Sequence, residues 1–210
     1  MPPQKIYLFS LSAHPDTIHI PSLDVEHRSP EIDFANYDYF LITSKQAIKA
    51  LENYDNLLLA PAICVSTKTA EAYQKIGGKV LDVGDGYGKS LVAKVEAHDK
   101  KSRWLYLRAK SIASDFVAVL QNKGYAIDEK IVYESECSQA ILDVDVEEDA
   151  ILIFTSPSSV KCFLKTHSFS KKHKVVAIGT TTQQALPENV SAQVCDASSI
   201  ESCVKIAQTL

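Results

Sequence analysis

Hydroxyl side chains stand at the ends of apolar runs in this chain, and the arrangement occurs twice. Phe40-Leu41-Ile42-Thr43-Ser44 leads into Lys45-Gln46-Ala47-Ile48, and 112 residues later Leu152-Ile153-Phe154-Thr155-Ser156 leads into Pro157-Ser158-Ser159-Val160. A second echo follows at an offset of 113, where Val65-Ser66-Thr67-Lys68-Thr69-Ala70 returns as Ile178-Gly179-Thr180-Thr181-Thr182-Gln183. A hydroxyl at a strand-to-helix turn has two uses. It caps the helix by accepting an amide N–H, which alone accounts for Thr43, Ser44, Thr155 and Ser156. It can also join the free amides of the helix start in holding an anionic group. Three successive threonines at 180–182 exceed the needs of one cap, Gly179 would admit a ligand close to the backbone, and Thr69 is the counterpart of Thr182.

Tyr133 is the residue with a proton to give. Its bland role is strand packing with the hydroxyl at the edge. Lining a cleft, it would serve as a general acid, because a phenol with pKa near ~10 is protonated at neutral pH. Glu134 and Glu136 are expected to face solvent. No Ser-His-Asp or paired-carboxylate constellation points to hydrolysis. Gly84-Asp85-Gly86-Tyr87-Gly88-Lys89-Ser90 looks like a phosphate loop but has Val83 where the pattern requires glycine. It reads as a flexible turn with Lys89 near a helix start.

The elements that must position these groups alternate. Strands are expected at Ile6–Phe9, Tyr39–Thr43, Leu57–Leu59, Ile63–Ser66, Val80–Val83, Trp104–Arg108, Ala150–Thr155, Val175–Ile178 and Ala192–Cys195. Helices are expected through Leu51, over Thr67–Ile76, around Leu91–Val95, and over Ser111–Lys123, Ser158–Leu164, Thr181–Leu186 and Ser199–Leu210. Continuous apolar strands alternating with helices indicate parallel sheets covered on both faces. Two extended stretches, one around Thr17–Glu26 and one around Lys130–Ser135, stand where one copy would hand over to the other. They predict a discontinuous lobe (1–19 and 138–210), crossing strands (20–27 and 129–137) and a continuous lobe (28–128).

The 210 residues fit one large or two small domains, and 46% apolar content supplies real cores. A net charge of −4 argues against a nucleic-acid partner, and Lys171-Lys172-His173-Lys174 reads as a solvated turn. No run approaches the ~18 apolar residues of a membrane helix, and the first residues lack a signal-peptide core. A cytoplasmic protein is therefore expected. Five scattered cysteines without a Cys-x-x-Cys pair are expected to be buried or incidental thiols rather than a zinc site or disulfide framework. The six histidines show no ligand spacing.

Taken in order, Ile20-Pro21-Ser22-Leu23, the two Thr-Ser turns, Val65–Ala70, Tyr106–Ser135 and Ala177–Leu186 resemble the uroporphyrinogen-III synthase family along nearly the whole chain. The resemblance implies two flavodoxin-like α/β lobes with parallel sheets joined by a two-stranded β connector. It implies a monomer without metal or organic cofactor, independent of nucleic acid and membrane. It also implies a substrate, hydroxymethylbilane, that is a linear tetrapyrrole with eight carboxylates. The family's reaction expels the terminal hydroxyl, inverts the last pyrrole ring and closes uroporphyrinogen III. Its acid maps onto Tyr133 and its Thr and Ser positions onto Ser44, Thr69, Ser156, Thr181 and Thr182, with Arg108 and Lys89 steering the polyanion. Two departures stand out: only Ser10–Asp16 fills the interval where members have a helix after the first strand, and Arg108-Ala109 replaces a common Arg-Gly. A non-enzymatic two-lobed module for a small anion, or a pair of protein-binding regulatory domains, would use much of the same pattern. Turnover of hydroxymethylbilane to the type III isomer separates them.

Overall fold

A computed structural model describes residues 4–112, 114–195, 197 and 199–210. The chain divides into two compact units, Met1–Asp24 with Glu136–Leu210, and Val25–Ser135.

The first unit is built on a five-stranded sheet. Its strands are β1 (Ile6–Ser10), β2 (Ile18–Pro21), β9 (Ile151–Phe154), β10 (Lys174–Ala177) and β11 (Gln193–Val194), in the order β11-β10-β9-β1-β2 and parallel throughout. Alternation divides the central strands between two faces. Tyr7, Phe9, Leu152 and Phe154 pack with Ile141, Val160 and Phe163, while Leu8, Ile153 and Val176 pack with Cys203, Val204 and Ala207. The helices supplying those partners are α5 (Gln139–Asp143), α6 (Pro157–Phe163) and α8 (Ile200–Ala207), with a short α7 at Thr180–Gln183. Burial on both faces is why the strands read as unbroken apolar runs.

The interval after β1 holds no helix. Residues 11–17 carry the chain from β1 to its parallel neighbour β2, where parallel pairs usually need a dozen or more. A turn makes the short crossing, with both the amide and the hydroxyl of Thr17 donating to the His14 carbonyl.

The second unit has a six-stranded sheet in the order β3-β8-β7-β4-β5-β6. Its strands are β3 (Leu23–His27), β4 (Tyr39–Ile42), β5 (Ala62–Cys64), β6 (Val80–Val83), β7 (Arg103–Ala109) and β8 (Ala126–Cys137). Phe40, Ile42, Leu105 and Leu107 face α1 (Lys45–Leu51) and α2 (Thr67–Lys75). Leu41, Ile63, Trp104 and Tyr106 face α3 (Ser90–Glu96) and α4 (Phe116–Asn122). The stretches read as crossing strands are distributed between the sheets: β2 belongs to the first, β3 and β8 to the second.

Three local expectations are corrected. Leu57–Leu59 is not a strand; it is coil packed on the core beneath α1 and α2. The helix expected from Ser111 starts at Phe116, and Ile112 before it is 45% exposed; Ala113 lies outside the described residues. The cysteines are not incidental. Cys137 pairs with Cys162 (Cα–Cα 5.4 Å) and Cys195 with Cys203 (Cα–Cα 5.7 Å) as disulfides, leaving Cys64 as a buried thiol. Separations of 25 and 8 residues carry no motif, and only the folded chain brings these pairs together.

Candidate active site

The C-terminal end of β4 delivers Thr43 and Ser44 to opposite sides of one turn. Ser44 is the N-cap of α1, its hydroxyl oxygen accepting the Gln46 amide at 3.1 Å. The same side chain lies within hydrogen-bonding reach of the Tyr133 hydroxyl. A serine whose oxygen accepts from an amide still has its proton to donate. Given to the phenol oxygen of Tyr133, that proton leaves the tyrosine's own proton for a ligand. Thr43 turns the other way and bonds the Tyr106 hydroxyl, Oγ1 to OH, at 3.1 Å.

A β-bulge places Tyr133. β7 and β8 run in step until Arg108 faces Ile131; then Ala109 faces Tyr133, so β8 has gained one residue. A bulge re-aims the side chain beside it, and here it sets Tyr133 half-buried against the core, with its carbonyl accepting the Lys110 amide at 2.9 Å. Tyr133, Thr43 and Tyr106 line one cavity of about 260 Å³, together with Gly86, Gly88, Ser111 and Ser114. Burial raises the Tyr133 phenol above its ordinary 10.0, against the opposing hydrogen bond from Ser44. Tyr106 is raised for the same reason, against Thr43. Both phenols are therefore protonated at neutral pH. The volume is just under the ~300 Å³ at which drug-sized pockets begin.

The cap and donor roles of Ser44 separate by substitution. Ser44→Ala is expected to destabilise the protein by about 1 kcal/mol and Ser44→Gly by only a few tenths, since glycine is a tolerated N-cap. Both remove the donor to Tyr133. Equal losses of turnover with unequal melting temperatures are expected; recovery of activity in the glycine variant would assign Ser44 to the cap alone.

The remaining expected site residues of this unit stand apart from the cavity. Thr69 is buried in α2, its hydroxyl bonded to the N-cap Ser66 at 3.1 Å. Arg108 is held by Glu129 at 2.6 Å and donates to the carbonyls of Ala109 and Lys110, so its charge is already matched. The glycine-rich turn folds on itself: Ser90 Oγ accepts the Asp85 amide, and the Asp85 carboxylate accepts the Tyr87 amide. Gly86 needs glycine, at φ +102°. Lys89 is exposed at the start of α3.

In the first unit, the turns after β9 and β10 lie at the same end of adjacent strands. Ser156 caps α6 in a capping box with Ser159, and the Thr155 hydroxyl donates to the Phe9 carbonyl at 3.1 Å. Gly179 caps α7 by backbone alone at φ −175°, an extended conformation open to any residue. Thr182 is buried beneath it and Thr181 is exposed.

Glu134 corrects an expectation. It is buried, not solvated, and pairs with Arg28 and with Lys110 at 2.8 Å. These partners hold its carboxyl below its ordinary 4.5, Lys110 contributing most. A depressed carboxyl stabilises the fold above its unfolded pKa, and the benefit fades as pH falls through the folded value. Glu134→Gln is therefore expected to lower the melting temperature at pH 7 and to match the parent well below pH 4. Parallel melting curves across that range would show that the pairs contribute nothing.

Sequence reasoning passed over Tyr106, Ser111 and Ser114 as site residues and read Gly86 and Gly88 only as parts of a flexible turn. The alternation in Trp104-Leu105-Tyr106-Leu107 was the available signal for Tyr106, since it places that phenol on the α3/α4 side, opposite Leu41 and two residues short of Thr43.

Paired α/β units with hydroxyl-capped strand-to-helix turns, and a half-buried phenol beside one of them, define the class of fold. The family model described as "Uroporphyrinogen-III synthase HemD" matches residues 13–205. Among solved structures, uroporphyrinogen-III synthetase from Helicobacter pylori 26695 aligns with TM-score 0.81 at 26% identity, covering 98% of this chain and 99% of that one. A mutant uroporphyrinogen III synthase from the extremely thermophilic bacterium Thermus thermophilus shares the fold at TM-score 0.68 and 18% identity, covering 97% and 96%. Among curated proteins, none matches the sequence. The chain belongs to the uroporphyrinogen-III synthase family, lyases of tetrapyrrole biosynthesis that cyclise hydroxymethylbilane with inversion of its last ring.

Proposed function

We propose that Tyr133 is the general acid of this cyclisation and that Ser44 holds it in the donating state. The observation that supports this reading is the pairing of a capped serine with a half-buried phenol at a cavity wall. The electron-rich pyrrole expels the hydroxymethyl oxygen: its nitrogen lone pair pushes, the C–O bond breaks, and the departing oxygen takes the Tyr133 proton to leave as water. Ser44 then donates to the phenolate. The closing bond forms at a ring carbon whose proton is lost and restores the phenol, while the pyrrole nitrogen regains any proton it gave up, so the net change is the loss of one water. No oxidation or reduction occurs.

The other hydroxyls act by holding the polyanion. Ser156, Gly179, Thr181 and Thr182 at the turns of the first unit, and Thr69 and Arg108 in the second, are read as contacts for acetate and propionate groups or as supports of the backbone amides that make them. Positioning of this kind supplies isomer selectivity, because unassisted closure gives the unrearranged ring. An isomer-resolved assay tests the reading. Type III product above the spontaneous background is expected; a pure sample that yields only type I would end it.

The working form is read as a cytoplasmic monomer acting on its tetrapyrrole substrate without nucleic acid or membrane. The net charge of −4 supports the absence of a nucleic-acid partner. Among the described residues no helix is long and apolar enough to cross a membrane. Sedimentation of the purified protein checks the monomer.

A further inference from the structure

We infer that Tyr106, paired with Thr43, is a second substrate-facing donor of the Tyr133 cavity and holds the departing hydroxymethyl oxygen while Tyr133 protonates it. The inference rests on the reading of Tyr133 as the acid.

Thr43 and Tyr106 meet hydroxyl to hydroxyl at 3.1 Å. Either can donate, but one bond uses only one of the two protons. The second proton remains for another acceptor. Tyr106 is 3% exposed, so bulk water is a poor candidate for that acceptor, and the pair opens on the cavity it lines. Ser114, which also lines the cavity, adds a second hydroxyl. Its Oγ is shielded from solvent and has no hydrogen-bond partner among the described residues. A buried hydroxyl without a partner calls for a missing acceptor. The cavity thus presents Tyr133, the Thr43–Tyr106 pair and Ser114 as donors, with no carboxylate among the described residues of its wall. Such a lining suits an oxygen that gains negative charge as its bond to carbon breaks.

Thr43 and Ser44 divide the work. Adjacent on the chain, they point to opposite faces of the sheet, and each engages one phenol: Thr43 the one on β7, Ser44 the one on β8. One turn therefore sets both donors.

The test is Tyr106→Phe, which keeps the buried ring and removes only the hydroxyl, with Thr43→Val as its partner variant. Each is expected to lower kcat about 10-fold, the worth of one hydrogen bond formed at the transition state, with KM within about twofold of the parent. If both phenols serve one oxygen, their effects do not multiply. Tyr106→Phe placed in a Tyr133→Phe background should therefore cost little more than Tyr133→Phe alone. A lowered melting temperature with parental kcat would make Tyr106 a packing residue and overturn the inference. Fully multiplicative losses would overturn it as well. A parent enzyme that makes no type III isomer overturns this inference together with the reading of Tyr133; a parent that turns over normally while Tyr106→Phe matches it overturns this inference alone.

Discussion

Tyr133→Phe is expected to lower kcat for hydroxymethylbilane about 10²-fold, in the range of a lost general acid. That factor corresponds to roughly 2.7 kcal/mol of barrier. The ring survives, so the half-buried packing against the α1/α2 core survives with it. The hydroxyl bonds Ser44, and losing one such hydrogen bond costs folding only about 1 kcal/mol. A large drop in turnover with a small drop in melting temperature is thus the signature of chemistry rather than packing. The pH profile adds a second check. Burial raises the phenol above 10.0, so the protonated, active form persists through neutral pH and activity should fall only as pH climbs past that value. In Tyr133→Phe this alkaline limb should vanish. Full turnover by the variant, or a limb that it retains, would remove Tyr133 from the mechanism. Residual activity is expected in either case, because the pyrrole itself drives departure of the oxygen.

How much of this was legible in the sequence differs from element to element. The sheets were readable because every central strand is buried on both faces and so spells an unbroken apolar run. Ser44 and Ser156 were readable as caps because a hydroxyl before a helical pattern has few other local uses. Other features depend on partners distant along the chain. Glu134 looks solvated until the fold brings Arg28 to it from 106 positions away. Leu57–Leu59 has strand composition but no neighbour to pair with, so it serves as core-packing coil. Ile112 and Phe116 share helical spacing, yet the chain before Phe116 is used to wall the cavity. The bulge beside Tyr133 is the least legible. Its one extra residue in β8 exists only relative to β7, and it determines where the phenol stands.

The other large effect belongs to the first unit. Phe154→Ala is expected to destabilise that unit by about 3–5 kcal/mol, the usual cost of removing a fully buried aromatic side chain. Phe154 is wholly buried at the centre of a ring cluster, stacked on Phe9 at 4.8 Å and set against Phe163 at 5.5 Å and Phe169 at 5.8 Å. No polar group is left unpaired by the change, so the loss comes from apolar transfer and the cavity left behind. Phe154 is also the last residue of β9. Its carbonyl accepts the Ile178 amide at 3.0 Å, which ties the turn bearing Thr155 and Ser156 to the one bearing Gly179 and Thr180–Thr182. Loosening this corner should therefore disturb both hydroxyl-rich turns of the unit at once. Hydrogen exchange resolves the effect by segment. Protection should fall over residues 4–24 and 136–210 and persist over Val25–Ser135, whose two cores share no residue with this cluster. Phe154→Leu, which keeps an apolar branched side chain in the site, should recover part of the loss. If protection fell equally in both units, the two cores would be one cooperative structure, and the assignment of separate duties to the two hydroxyl-bearing corners would lose its physical basis.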